Sequence, residues 1–485
     1  MTDLQLDAVA LGRSRARAVP GTASSASRAA LAAVVLGFFI VTFDAVVLNV
    51  SLPSIRTDLG GGISGLQWVV DGYTLMFAAL LLAAGAFSDR AGARRAFTVG
   101  VVGFIVASAA CGLAPGLDAL VAARFVQGAA AALLVPAAMA LIGQAYPDPS
   151  ARARAIGIWA MGGAVASSSA PVLGGVLTVA SWRLIFLINI PVGIAAVTLA
   201  ARAAPSPRRD VPFDRLGFTT AVLAMGALTF GAIEAGERGF TSPLVVTAFS
   251  TAIMSFAAFV AWQRRAPNPV VPLELFRHRN LSVSVAVGFA FVVGYYGLPF
   301  VMSLYLQQLH GLSAFRTGLV FLPMMLIGGV GTPFSAALAE RLGARTVVCT
   351  GLVLMAVGLA LLAVASATAS PPMVAALMLL VGLAGPLIMP PITSVLLNSV
   401  PDSLAGTASG VFNTSRQLGG ALAIAVFGAL LNRRDGFLPG LRISLLIAAV
   451  VAIGAAATTR LLTTPAAGHA QVPTPGRRRS VVAAD

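Results

Sequence analysis

The chain has 485 residues, of which 58% are hydrophobic and only 10% charged, against roughly 25% charged in soluble globular proteins. So little charge cannot cover a water-facing surface of this size, and lipid is the solvent that suits most of the chain. All 32 basic residues are Arg and the formal net charge is +15, which would suit nucleic acid only if those residues were clustered. Cys111 and Cys349 lie in separate apolar runs, which excludes a disulfide framework or zinc spacing. His278, His310 and His469 are scattered and form no metal cluster.

Arg13, Arg15, Arg17 and Arg28 precede the first apolar run. That run is too long for a cleavable signal peptide and lacks a small-residue cleavage site. Residues 1–29 are therefore expected to form a disordered cytoplasmic head before an uncleaved membrane helix. Crossing the hydrocarbon core takes about 20 apolar residues. Runs of that kind begin near Leu31, Leu66, Ala96, Leu117, Ala155, Leu184, Leu216, Leu244, Leu281, Gly318, Thr346, Met373, Ala405 and Leu441, which predicts fourteen spans. With the N-terminus inside, 23 Arg fall on the cytoplasmic side and 7 on the outer side, while Arg124 and Arg416 lie within spans. This is the bias of the positive-inside rule for an even number of spans with both termini cytoplasmic. It also spreads the basic residues over many short loops, which removes the nucleic-acid reading. The segment 464–485, short and containing Pro and Arg, is expected to be a disordered tail.

The loop after the second span runs from Gly85 to Arg95 and carries Asp89, Arg90, Gly92 and Arg94. The loop after the tenth carries Glu340, Arg341, Gly343 and Arg345, each at an offset of 251 residues. The repeat divides the fourteen spans into two six-helix bundles, residues 30–201 and 281–463. Between them lie two extra spans with their polar linkers, residues 202–280. Two repeats about a central cavity is a transporter architecture.

Several polar residues sit inside the predicted spans. In the first, Asp44 and Asn49 belong to Asp44-Ala-Val-Val-Leu-Asn49-Val-Ser-Leu-Pro53. An acid at this depth is costly unless it faces a cavity or a partner. It can bind and release a proton, or it can serve as a hydrogen-bonding residue that packs helices. The second span opens Gln67-Trp68-Val-Val-Asp71-Gly-Tyr73. Trp68 and Tyr73 suit an interfacial aromatic belt, and Asp71 suits either an outer vestibule or a plain interfacial position. In the Gly85–Arg95 loop, Asp89 can cap a helix or pair with Arg to lock one face shut, while Arg94 and Arg95 also serve simply to set topology. In the fourth span Arg124 and Gln127 share a helix face, with Gly128 beside them. A buried Arg needs a carboxylate or carbonyl partner, and Asp44 is the natural candidate. The fifth span carries a double stripe of small residues, Gly162, Ala166, Ala170 and Gly174 beside Gly163, Ser167, Pro171 and Gly175, which permits close helix packing. Glu234 ends the seventh span, where an interfacial place suits it. In the thirteenth, Asn413 and Gln417 lie on a polar stripe with Arg416 on the adjacent face.

With these motifs in order from about Ala30 to Leu462, the chain resembles the major facilitator superfamily, specifically its fourteen-helix drug:proton antiporters of the EmrB/QacA type. The resemblance rests on the Asp44 motif, Gln67-Trp68, the Gly85–Arg95 loop with Phe87 where Leu is commoner, Arg124-Phe-Val-Gln127-Gly128, and Ser181-Trp182-Arg183 through Gly193. The stripe around Pro171 is similar to the family's antiporter motif, with Ala170 where Gly is expected. The resemblance implies the all-α major facilitator fold and alternating access of two halves about a midplane cavity. Asp44, Asn49, Asp71, Arg124, Gln127, Asn413, Arg416 and Gln417 would form the proton-coupling and substrate cavity. Gly85, Asp89, Arg90, Gly92 and Arg94 would form a gating loop, and Gly162, Ala170, Pro171, Gly174 and Gly175 the antiporter motif. In some relatives, acids near Glu234 contribute to cation recognition.

The expected function is export of small lipophilic drugs or antibiotics across the bacterial cytoplasmic membrane by a monomer, driven by the proton gradient and needing no cofactor or metal. With no Lys in the chain, no Gly-x-x-x-x-Gly-Lys-Ser/Thr phosphate loop exists, which excludes ATP drive within this chain. No His-Glu-x-x-His or paired-Asp motif suggests a membrane enzyme. The readings in reserve are an exporter dedicated to one self-made metabolite and a non-transporting membrane sensor.

Overall fold

The first long helix opens on Ser24, whose hydroxyl accepts a hydrogen bond from the Ser27 amide at 3.1 Å, an N-cap ahead of a run of apolar residues. The computed structural model describes residues 24–206, 214–400, 404–432 and 436–462. The expected tail, and all of the expected head but its last residues, lie outside the described residues; α1 already begins inside the stretch assigned to the head.

The long helices in chain order are α1 (Ser25–Leu59), α2 (Gly62–Ala91), α3 (Ala93–Gly112), α4 (Leu117–Ala145), α5 (Pro149–Ala180), α6 (Leu184–Ala201) and α7 (Arg215–Arg238). They continue as α8 (Pro243–Gln263), α9 (Arg279–Leu304), α10 (Ala314–Leu342), α11 (Ala344–Ala365), α12 (Pro371–Leu397), α13 (Ala405–Leu431) and α14 (Phe437–Thr458). Among the described residues thirteen are long and apolar enough to cross a membrane. The fourteenth long helix, α2, is a 30-residue helix that packs chiefly on α4.

Packing repeats with a step of eight helices. In the first bundle α2 and α3 pack on α4, α1 packs on α5, and α6 packs on α1 and α3. In the second, α10 and α11 pack on α12, α9 packs on α13, and α14 packs on α9 and α11. The bundles meet through α5 against α10 and through α2 against α13, a pair of contacts that the same step exchanges. The repeated loops adopt one backbone shape. Gly92 (φ 86°, ψ 135°) joins α2 to α3 and Gly343 (φ 81°, ψ 139°) joins α10 to α11, in a region that a Cβ disfavours. α7 and α8 pack on each other, and α7 also touches α2 and α13, so the extra pair stands beside the seam between the bundles.

Asp214 ties that pair together. Its carboxylate caps α7 by accepting from the Gly217 amide at 2.8 Å, and it also accepts from Trp262 Nε1 at 2.6 Å and Gln263 Nε2 at 2.9 Å at the far end of α8. Gln263 Oε1 in turn accepts from the Val271 amide at 3.0 Å. Partial burial pushes the Asp214 carboxyl up, but these donors outweigh it and hold the group below its ordinary value of 3.8. The stabilisation is therefore complete at neutral pH and is lost as pH falls below that value. Asp214→Ala is expected to destabilise the α7–α8 hairpin by about 1–2 kcal/mol, read as a lower Tm of the purified protein at neutral pH, with Asp214→Asn intermediate.

Candidate functional site

Asp44 meets Arg124 inside the first bundle, well away from any aqueous end. Arg124 can reach across because Gly128 lets α2 and α4 touch; a Cβ on Gly128 would come within 2.2 Å of the Tyr73 carbonyl oxygen. The Arg124 guanidinium then donates through Nε to the Val69 carbonyl (2.9 Å), and through one terminal nitrogen to Asp44 Oδ2 (2.5 Å) and Gln127 Oε1 (2.8 Å). Its flat face lies 4.4 Å from the Tyr73 ring centroid. Gln127 Nε2 donates to Asp44 Oδ1 (2.9 Å) and Ser108 Oγ (3.2 Å), and Asn189 Nδ2 donates to the same two acceptors at 3.2 and 3.1 Å. Ser108 Oγ donates to the Phe186 carbonyl at 2.8 Å. Asp44, Arg124, Gln127 and Asn189 are all at most 1% exposed. The result is a neutral network drawn from α1, α3, α4 and α6.

A second region lies between the bundles. A cavity of about 220 Å³ is lined by Val46 and Asn49 of α1, Ser167 and Ser168 of α5, Tyr295 and Tyr296 of α9, Met325 and Gly328 of α10, Met389 of α12 and Arg416 of α13. Asp44 is absent from this lining, because Val46 and Asn49 stand roughly 200° and 140° around the helix from it. The expected single proton-and-substrate site is thus two places. Asn49 and Arg416 line the cavity, and Asn413 orients Arg416 by accepting from it at 3.2 Å. Asp44, Arg124 and Gln127 sit behind one wall. Gln417 lies outside the cavity lining.

Asp71 departs from both positions expected of it. It is fully buried, and neither carboxylate oxygen has a hydrogen-bond partner among the described residues. Trp68 and Tyr73 also leave the expected belt. Trp68 packs between Phe125 and Phe230, with centroids 6.1 and 5.8 Å away, and Tyr73 is buried under Arg124 with its hydroxyl on the Val41 carbonyl at 3.3 Å. The reason is shared. α2 is covered by α4, α7 and α13, so its first turns face protein and not headgroups.

At one end, the end of the α1–α2 connection at Gly60 and Gly61, the bundles are sealed. Gln67 Nε2 donates to the Ile424 and Ala425 carbonyls at 3.0 and 2.6 Å. Ser303 donates to the Asn49 carbonyl, and Gln307 Nε2 to the Val50 carbonyl at 3.0 Å. The small-residue stripe of α5 divides its work. Gly162 and Gly174 let α1 approach, whereas Gly175 lies where a Cβ would come 2.6 Å from Phe315 Cα of α10. Opposite it, a Cβ on Gly318 would come 2.1 Å from the Pro171 carbonyl oxygen. Ala170, where the motif has Gly, is fully buried. The cavity lies just beyond this seal, toward the Gly92 and Gly343 end.

At that other end, Arg94 donates to the Ala203 carbonyl at 2.9 Å and its amide to Ser206 Oγ at 3.0 Å, which ties the repeated loop to the chain after α6. Arg90 is exposed and Gly85 has open space around it. The side chain of Asp89 lies outside the described residues. Glu234 takes a 2.6 Å ion pair from Arg238, one turn on at the end of α7. Trp182 and Arg183 of the sixth-helix motif both donate to Asp58, at 2.9 and 2.6 Å. The readings from sequence missed Ser108, Asn189 as a network member, and Tyr295 and Tyr296 as cavity lining. Asn189 lay in a quoted motif, while Ser108 is a single hydroxyl in an apolar run and gives no signal.

Two repeat bundles of membrane-length helices with a cavity at their seam and a seal on one side of it have the architecture of a membrane transporter. A sequence profile of the Major Facilitator Superfamily matches residues 34–424. The chain is 33% identical to the methylenomycin A resistance protein of Bacillus subtilis (strain 168), over 84% of this chain and 88% of that one. It is 34% identical to the tetracenomycin C resistance and export protein of Streptomyces glaucescens (84% and 76%), and 35% identical to the multidrug resistance protein Stp of Mycobacterium tuberculosis (82% and 74%). Among solved structures it resembles a POT family transporter in complex with 5-aminolevulinic acid, with a TM-score of 0.69 at 13% identity, covering 88% of this chain and 94% of that one. It also resembles a bacterial homologue of the lysosomal transporter Spinster, at 0.63 and 19% (91% and 98%); both likenesses concern the fold. The chain belongs to the major facilitator superfamily.

Removing one partner of a buried ion pair leaves an uncompensated charge and costs about 3–5 kcal/mol. Arg124→Met is therefore expected to be severely destabilised, and the double variant Asp44→Asn with Arg124→Met to regain most of the loss. Thermal unfolding of the four proteins in detergent reads the cycle; additive losses would show that the two residues are not coupled.

Proposed function

We propose that the protein is a proton-driven efflux antiporter that exports small, mainly lipophilic antibiotics or drugs across the bacterial cytoplasmic membrane. The observation that carries the reading is the pairing of a sealed, mostly apolar cavity with a separate buried Asp44–Arg124 network. The names of the resistance and export relatives support the direction of transport. In this reading the Arg-rich end at Gly92 and Gly343 faces the cytoplasm with both termini, following the positive-inside rule. The described conformation is then closed to the outside by the α5–α10 and α2–α13 seals, with its cavity on the cytoplasmic side of them.

The cycle follows from the separation of the two sites. In the outward-open state a proton taken up by Asp44 from outside removes the charge that holds Arg124, Gln127 and Asn189 in place, so the first bundle repacks and the seal forms. Release of that proton to the cytoplasm restores the described network, and substrate loading then opens the seal. Proton and substrate need never touch, and their coupling is conformational. Inward movement of one proton supplies about 2.3 kcal/mol per 100 mV and about 1.4 kcal/mol per unit of pH gradient. A monomer suffices for this cycle, with no cofactor, metal or enzymatic step.

Everted membrane vesicles test the reading. Energised vesicles should accumulate members of a lipophilic antibiotic panel, and a protonophore should abolish the accumulation. Asp44→Asn should still insert, with a lower Tm because Arg124 loses its counter-charge, and, compared per inserted protein, should lose the gradient-driven part. Accumulation that survives collapse of both gradients, or wild-type rates in Asp44→Asn, would contradict it. A second expectation concerns the seal: Gly318→Leu places side-chain atoms where the Pro171 carbonyl now lies. It should hold that end open, read as faster labelling of a cysteine at Ser303 by a membrane-impermeant reagent and as loss of transport.

A further inference from the structure

Among the described residues, Arg416 is the only formally charged side chain that lines the cavity, and it has no carboxylate partner. The contrast with Arg124 is direct. Arg124 spends its donors on a carboxylate, an amide and a backbone carbonyl. Among the described residues Arg416 has one hydrogen bond, to Asn413 Oδ1 on its own helix at 3.2 Å, and its buried Nε has none. The Phe412 ring lies 5.8 Å from the Arg416 guanidinium carbon. A cation at membrane depth without a counter-charge is costly, and the group able to offset that cost is one that enters the cavity.

The rest of the lining fits an anion with an apolar body. Tyr295 and Tyr296 face the cavity with no hydrogen bond to their hydroxyls among the described residues. Gly328 and Gly385 make room for the first of them, since a Cβ on Gly328 would lie 2.8 Å from the Tyr295 hydroxyl. Phe291, Met325 and Met389 supply ring and thioether surface. The resulting pattern is one guanidinium and two phenol hydroxyls, with Asn49, Ser167, Ser168 and Thr332 as further polar groups, around a mainly apolar slot in which Arg416 is the one formal charge among the described residues.

We propose that the cavity selects aromatic or conjugated anions, carboxylates or enolates, which Arg416 binds by charge-assisted hydrogen bonds, and that it disfavours cationic lipophiles. This rests on the efflux reading for its physiological meaning but is tested by binding alone. The probes are naphthoate, its neutral isostere naphthamide, and aminomethylnaphthalene, titrated against purified full-length protein in lipid nanodiscs and read by calorimetry. Naphthoate should bind at least about ten-fold more tightly than either analogue, equivalent to about 1.4 kcal/mol. Arg416→Gln should erase that preference and Arg416→Lys should keep part of it. Asn413→Asp puts a carboxylate where Arg416 already donates; it should weaken naphthoate and strengthen aminomethylnaphthalene, which keeps the test open if Arg416→Gln fails to fold. Equal or tighter binding of the ammonium by the wild type, no naphthoate binding at millimolar concentration, or an unchanged preference in both charge variants would overturn the proposal. Protonophore-insensitive accumulation in vesicles would instead count against the efflux reading and leave the binding order intact.

Discussion

A carboxylate and a guanidinium at hydrocarbon depth can be kept ionised only by each other and by a full set of polar neighbours. The Asp44–Arg124 pair meets that demand with partners from four helices, and the first bundle is arranged around it. α4 must lie close enough to α2 for Arg124 to reach the Val69 carbonyl, which Gly128 permits. α6 must present Asn189 to the far side of the carboxylate, and α3 must present Ser108 to Gln127 and Asn189. The network around Asp44 thereby joins α1, α3, α4 and α6. The same α1 carries Val46 and Asn49 to the cavity and the Asn49 and Val50 carbonyls to the seal. One helix thus connects the charge pair, the cavity and the closed end.

The seal is built from backbone and small residues. Gly175 and Gly318 bring α5 and α10 into main-chain contact, and Gln67 clasps two carbonyls of α13. Contacts made mainly by backbone and small residues suit rocking of one bundle against the other. The second bundle contributes Arg416 and the two tyrosines to the cavity. Charge is thereby divided: a compensated pair inside one bundle and an uncompensated cation facing the seam.

Much of this was legible in the chain. Span starts inferred from apolar runs fall close to the helix starts, and the 251-residue repeat emerges as matched Gly92 and Gly343 turns. The Asp44–Arg124 pairing followed from two intramembrane charges that each needed a partner. Other features were not legible, for physical reasons. Helical period places Asp44 and Asn49 on different faces, but which face meets the seam depends on tertiary packing. Asp71, Trp68 and Tyr73 read as interfacial because they begin a span, yet α4, α7 and α13 cover that part of α2. Ser108 and the tyrosines of α9 are unremarkable in an apolar run and gain meaning only from their neighbours.

The central claim is that the charge on Asp44 sets the state of a seal it does not touch. Spin labels on α5 and α10 at the sealed end, near Ser181 and Ser313, would report the seal as a distance distribution in nanodiscs. The account predicts that the wild-type distribution shifts between acidic and alkaline buffer, and that Asp44→Asn holds the acidic distribution in both. A pH-dependent shift of equal size in Asp44→Asn would contradict it.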